Sequence, residues 1–120
     1  MPSLTQNTWS QNEAVRKARA VLAGDLGLLE GCISLASLGH DAVPDWRVDP
    51  DFAVFGVLSS ETAHLPFGQS QEQWSAEALA RAKAEIEHMS LGHKYEILAA
   101  CRNVIDRFKS VTSVAAEDAV

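Results

Sequence analysis

Cysteine is scarce in this 120-residue sequence: Cys32 and Cys101 stand far apart, with no C-x-x-C step and no Cys/His cluster. A disulfide framework or a zinc site needs a denser set, so reduced thiols inside a core are expected. No run of 18 apolar residues occurs, which excludes a membrane-spanning helix. The first twenty residues lack the apolar stretch of a secretion signal, and a cytoplasmic protein is expected. Basic residues are also few, 10 against 16 acidic, for a net charge of −6. Nucleic acid and anionic membranes both attract positive fields, so neither is expected as a partner. Walker, Rossmann, G-x-S-x-G and H-E-x-x-H signatures are absent, and no cofactor is implied. Internal repeats and low-complexity tracts are missing too.

What remains is 47% hydrophobic and 22% charged, the composition of one folded domain. Residues 1–9 read as a loose lead with Trp9 docking, residues 10–110 as the domain, and 111–120 as a fraying tail. Ser10 and Glu13 have capping-box spacing ahead of a helix over 11–23. Gly24 is a natural stop and Asp25 a natural cap for the next helix. Residues 26–38 form the most apolar helix, with Gly27 and Gly31 on one face for close approach and Gly39 as its end. A single bent helix over 11–38 is the alternative, because the apolar phase nearly continues through Gly24.

Residues 40–47 read as a loop. Asp49 and Pro50 then start a helix over 50–62, Pro sitting where its missing N–H does no harm. Phe52 to Leu58 has strand composition, but no second segment offers it a partner. Trp74 is expected to pack near the 65–68 loop, and Ser75 to cap the following helix. Joined as one rod, residues 76–110 would span roughly 52 Å, against a diameter of about 35 Å for a globule of this size. The apolar stripe also shifts phase midway, so a break is expected at 90–92. The predicted fold is all-α: a compact antiparallel bundle of four or five helices with short loops.

Two Glu-x-x-His steps, Glu61 to His64 and Glu85 to His88, have the spacing of di-metal bundles, with Glu30 and Glu13 as conceivable further ligands. Helical phase turns His88 to solvent, and capping already accounts for Glu13. The metal candidates are therefore Glu30, Glu61, His64 and Glu85, with solvated side chains as the default. Glu61 shares the angle of Val54 and Leu58, which predicts partial burial. It is either a polar anchor ending its helix or a functional carboxylate, and no adjacent nucleophile supports catalysis. Arg16, Lys17 and Arg19 form a basic spot too small to hold DNA firmly.

Asp41, Asp45, Asp49 and Asp51 surround Trp46 and Arg47. An aromatic amid carboxylates resembles a binding hot spot with a charged rim, suited to a basic protein partner. Against it, Asp49 and Asp51 serve to start a helix, where the dipole favours anions, and Trp46 serves to cover the core.

The segments Ala20 to Gly24, Glu30-Gly31, Ser60 to Gly68 (SETAHLPFG), Trp74 and Cys101 to Phe108 resemble a family of small uncharacterised bacterial helical proteins. The likeness covers about residues 17–108, and Ser-Glu-Thr-x-His-Leu-Pro-x-Gly before a Trp is its most specific part. It implies a compact helical domain and supplies no reaction and no catalytic residue; His88 lies outside its pattern. In size, acidity and loop surface the chain is also similar to toxin-neutralising immunity proteins, without a shared motif. The expectation is a protein-interaction module, leaning away from an enzyme. The alternatives are a metal- or small-ligand-binding bundle, with Glu61, His64 and Trp74 as ligand or structural-polar candidates, and an acid–base enzyme centred on Glu61. The broad apolar arc over 26–38 also offers a place for a second copy, as a homodimer.

Overall fold

At Gly24 the backbone turns left-handed, with φ of 84°. The computed structural model describes residues 2–67 and 72–109, with side chains from residue 8 onward. The Gly24 turn separates α1 (Pro2–Ala23) from α2 (Leu28–Ala42). The N–H of Gly24 donates to the Val21 carbonyl at 3.1 Å, and those of Asp25 and Leu26 to the Ala20 carbonyl at 2.9 and 3.2 Å. Orphan carbonyls of the last turn are thereby satisfied, which glycine permits at no steric cost. There are two helices here and no bent rod.

Several expected boundaries move. Residues 2–9 belong to α1 and are not a loose lead, and Trp9 is exposed. Pro2 suits a first helical position. Ser10 is consequently internal and buried, its Oγ without a hydrogen-bond partner, and Glu13 pairs with Arg16 at 2.6 Å. Capping spacing cannot exclude a helix that simply continues upstream. Gly27, not Asp25, precedes α2, in extended backbone and with no side-chain cap. Gly39 does not end α2. A Cβ there would lie 3.2 Å from both the Phe52 and Trp46 rings, so this glycine admits side chains and the helix runs on to Ala42.

Two contacts make α1 and α2 antiparallel. Gly31 receives Val21, whose Cγ2 would stand 2.2 Å from an added Cβ. At the other end Gln11 Nε2 donates to the Ala42 carbonyl at 3.0 Å, satisfying an orphan of the α2 C-terminus. Helix α3 (Ala53–Glu61) starts three residues later than Pro50. Asp49 organises a preceding turn: its Oδ1 accepts from the Asp51 N–H at 2.9 Å, and its carbonyl accepts from Phe52 and Ala53. Pro50 sits inside that turn. The apolar run Phe52 to Leu58 is helical from Ala53, and the described residues contain no strand. Thr62, fully buried, ends α3 by donating its hydroxyl to the Leu58 carbonyl at 2.7 Å.

Helix α4 (Ala76–Arg107) is one unbroken rod of 32 residues. Ser75 caps it as expected, its Oγ accepting from the Ala78 N–H at 3.1 Å. The break expected at 90–92 does not exist. The molecule measures 50 × 29 × 27 Å and lengthens to hold the rod, where a sphere could not. Its inward stripe is continuous through Ala82, Ile86, Met89, Ile97, Cys101, Val104 and Phe108. Half-buried Ser90 and His93 bridge the middle, and their polarity hides the phase. The described residues thus form a four-helix all-α bundle in which α2 packs against the other three helices. Phe52, Phe55, Leu29, Leu35, Leu58 and Ile97 are its largest buried side chains, each worth about 1.5–3 kcal/mol on burial. The expected tail at 111–120 lies outside the described residues.

Candidate functional site

Between α2 and α3 the chain turns at Asp45 and again at Asp49, and the first turn presents an aromatic ring. Asp45 is left-handed, with φ of 51°, and its carbonyl accepts from the N–H groups of Val48 and Asp49, each at 3.1 Å. Asp is among the few residues that tolerate this conformation. The turn lays the Trp46 ring across two glycines: added Cβ atoms would stand 3.2 Å from it at Gly39 and 3.0 Å at Gly56. Trp46 therefore does cover the core with one face, through contacts that only glycines permit. His40 lies 4.7 Å from Trp46 between ring centres, and the Arg47 guanidinium 5.7 Å from the ring centre.

Trp46 and Arg47 form a ridge between two open hollows. One, of about 470 Å³, continues over Ala53, Gly56, Val57, Ser59 and Ser60. The other, of about 420 Å³, continues over His40, Asp45 and Val48. Val48 is 80% exposed and Val57 56% exposed, so each hollow ends on an aliphatic side chain open to solvent. Gly56 and Val57 escaped sequence reasoning. A glycine inside a short apolar helix facing a loop tryptophan was the available signal.

The four aspartates expected around Trp46 divide into two pairs. Asp41 and Asp45 are at the surface. Asp49 and Asp51 are not open to a partner, because Arg107 of α4 holds both. Its Nη1 lies 2.7 and 2.8 Å from the Asp49 carboxylate oxygens and 3.1 Å from Asp51 Oδ2. Partial burial tends to raise the Asp49 pKa. The Arg107 hydrogen bonds and charge, with the Asp51 and Phe52 N–H groups, outweigh it and hold the carboxyl below its ordinary value. Arg107 is raised in return, first by its hydrogen bond to Asp49. These two aspartates join the loop to the last turn of α4.

The other sequence candidates meet where α3 turns into α4. His64 Nε2 and Glu85 Oε1 are 2.8 Å apart, with both side chains about half exposed. They line a small hollow of about 170 Å³ with Leu65, Trp74, Ala78 and Arg81, so Trp74 packs near the loop as expected. Glu61 does not join them. It is exposed, contrary to the expected partial burial, because α3 ends at Glu61, where Ser60 and Glu61 are open to solvent. Glu30 lies exposed in the first turn of α2. Among the described residues no group of three or more His, Cys, Asp or Glu is placed to hold a metal, so the candidates Glu30, Glu61, His64 and Glu85 do not come together as one. An acid–base centre at Glu61 would need that side chain enclosed in a pocket, and it is exposed.

Cys32 and Cys101 are both free and buried, as their apolar stripes indicated. Burial, then the neighbouring Cys101, pushes the Cys32 thiol up to about 12. Burial likewise pushes Cys101 up to about 11, with nearby Arg102 opposing. Thiols held protonated are poor nucleophiles.

Fold and site together define a class: a small all-helical domain whose most structured surface feature is an aromatic ridge on a pinned loop. No helix of the described residues is long and apolar enough to cross a membrane. No family model, curated protein or solved structure matches the chain.

Proposed function

We propose that this chain is a non-catalytic protein-recognition module whose binding face is the Trp46 ridge. The observation that carries the reading is the pairing of a glycine-seated tryptophan with two open hollows that end on exposed Val48 and Val57. A half-buried aromatic on a rigid base, ringed by polar groups, has the anatomy of an interface hot spot. Exposed aliphatics beside it favour a surface that is covered in use. The occupant is a basic protein segment carrying an apolar anchor: Asp45 lines the ridge, and the chain as a whole carries −6. Such fields speed encounter and select partners by sign. An antidote that masks a basic toxin is one form this module would take.

The test is differential. Wild type and the variant Val48→Lys, Val57→Lys, both solvent-facing positions, are immobilised and offered the same native-cell extract. A photo-crosslinking residue at Val57 then maps the contact. The expected result is a basic partner captured by wild type, lost at least about tenfold by the variant, and crosslinked at a Lys/Arg-rich segment. Equal capture by a variant with an intact helical spectrum would remove the assignment.

A further inference from the structure

Helix α4 has a second apolar side that the bundle does not use. At 100° per residue, Ala84, His88, Leu91, Tyr95 and Leu98 fall within a band about 80° wide, on the side away from the core stripe. Ala84, Leu91 and Leu98 repeat every seven residues, as do His88, Tyr95 and Arg102. That alternation of three and four is the spacing of a helix–helix seam. Leu91 is 67% exposed and Tyr95 86% exposed, which places two large apolar side chains one turn apart in water. Leu98, at the edge of the band, is half-buried and already leans on the core.

We infer that this face binds the same face of a second copy of the chain, with the two α4 helices antiparallel. Self-pairing about a two-fold axis makes each contact occur twice. With Leu91 set opposite His88 of the second copy, Tyr95 falls opposite its Ala84, a large residue against a small one. In the same register Glu87 comes within about 3 Å along the axis of Lys94 of the second copy, and the two-fold axis makes the pair form twice. Glu87 and Lys94 are exposed, seven residues apart on the same rim of the band. The overlap takes in residues 76–103, roughly 42 Å of helix in each copy. The Trp46 ridge takes no part, so the two surfaces are tested separately.

Sedimentation equilibrium on the full chain decides the matter. The expected result is reversible monomer–dimer behaviour below about 100 µM, with Leu91→Glu plus Tyr95→Glu weakening it at least about tenfold. Helical spectrum and the melting temperature of dilute, monomeric protein should hold in that variant, because neither side chain is buried in the bundle. Glu87→Lys or Lys94→Glu alone should weaken the dimer, and the two together should restore it. A chain that stays monomeric at about 100 µM overturns the proposal, that concentration being the weak limit of a useful contact. So does a dimer indifferent to Leu91→Glu plus Tyr95→Glu, and failure of the double charge swap to restore association overturns the antiparallel register.

Discussion

Arg107 grips Asp49 with one nitrogen, which sits 2.7 and 2.8 Å from its two carboxylate oxygens across 58 positions of sequence. The same nitrogen reaches Asp51, so one guanidinium ties the C-terminal turn of α4 to the turn that carries Trp46. The Asp49 carboxyl is held below its ordinary value by this contact. Its contribution to stability is therefore fully present above the unfolded-chain pKa of about 4 and is lost as pH falls through the lower, folded value. Denaturant titrations across that acid range should show a steeper fall for wild type than for Asp49→Asn. At neutral pH Arg107→Ala should cost about 1 kcal/mol, limited by solvent screening of a pair that is partly exposed.

Gly31→Ala should be destabilising by about 1–3 kcal/mol, because its Cβ would meet Val21 Cγ2 at 2.2 Å and a β-branched side chain in a helix has little room to rotate. Val21→Ala in the same chain should recover part of the loss. Chemical denaturation of the two singles and the double measures that coupling, and additive losses would contradict the contact.

Gly92→Ala should stabilise the protein by about 0.5–1 kcal/mol, since a helix-interior glycine carries an entropic cost. Nothing lies within 4 Å of a Cβ added there. Thermal melts of dilute protein provide the reading. A loss of stability would mean that the rod breaks at this point after all.

Asp45→Ala should cost about 1 kcal/mol and Asp45→Gly should be near neutral, because the left-handed backbone at φ 51° penalises a Cβ that has no compensating polar group. Equal melting temperatures for the two variants would argue against a left-handed residue in the turn.

Both thiols should resist a disulfide reagent in the native protein at pH 8 and react together once denaturant is added. Burial and raised pKa values, about 12 for Cys32 and about 11 for Cys101, leave almost no thiolate to attack. Rapid labelling of either cysteine in folded protein would show that the core opens far more often than its packing implies.

Fold class was legible because period and punctuation agreed: apolar stripes at helical spacing, Gly24 as a stop, Ser75 as a cap. Boundaries failed where one residue type has two uses. Ser10 has the chemistry of a cap and lies inside a helix. Gly39 looks like a terminator and serves as a seat for aromatic rings. Ser90 and His93 are polar yet occupy inward positions of α4, so the stripe seemed to break where it passes through them. Trp46 was visible as a candidate. The division of its aspartates was not, since the grip of Arg107 on Asp49 and Asp51 is a contact between the two halves of the chain.

The tie from Arg107 to the 49–51 turn also sets an order on synthesis. Trp46 leaves the ribosome about sixty residues before the guanidinium that braces its loop, and chains gain contacts as they emerge. A nascent protein therefore lacks a finished ridge until nearly all of the bundle is outside the exit tunnel.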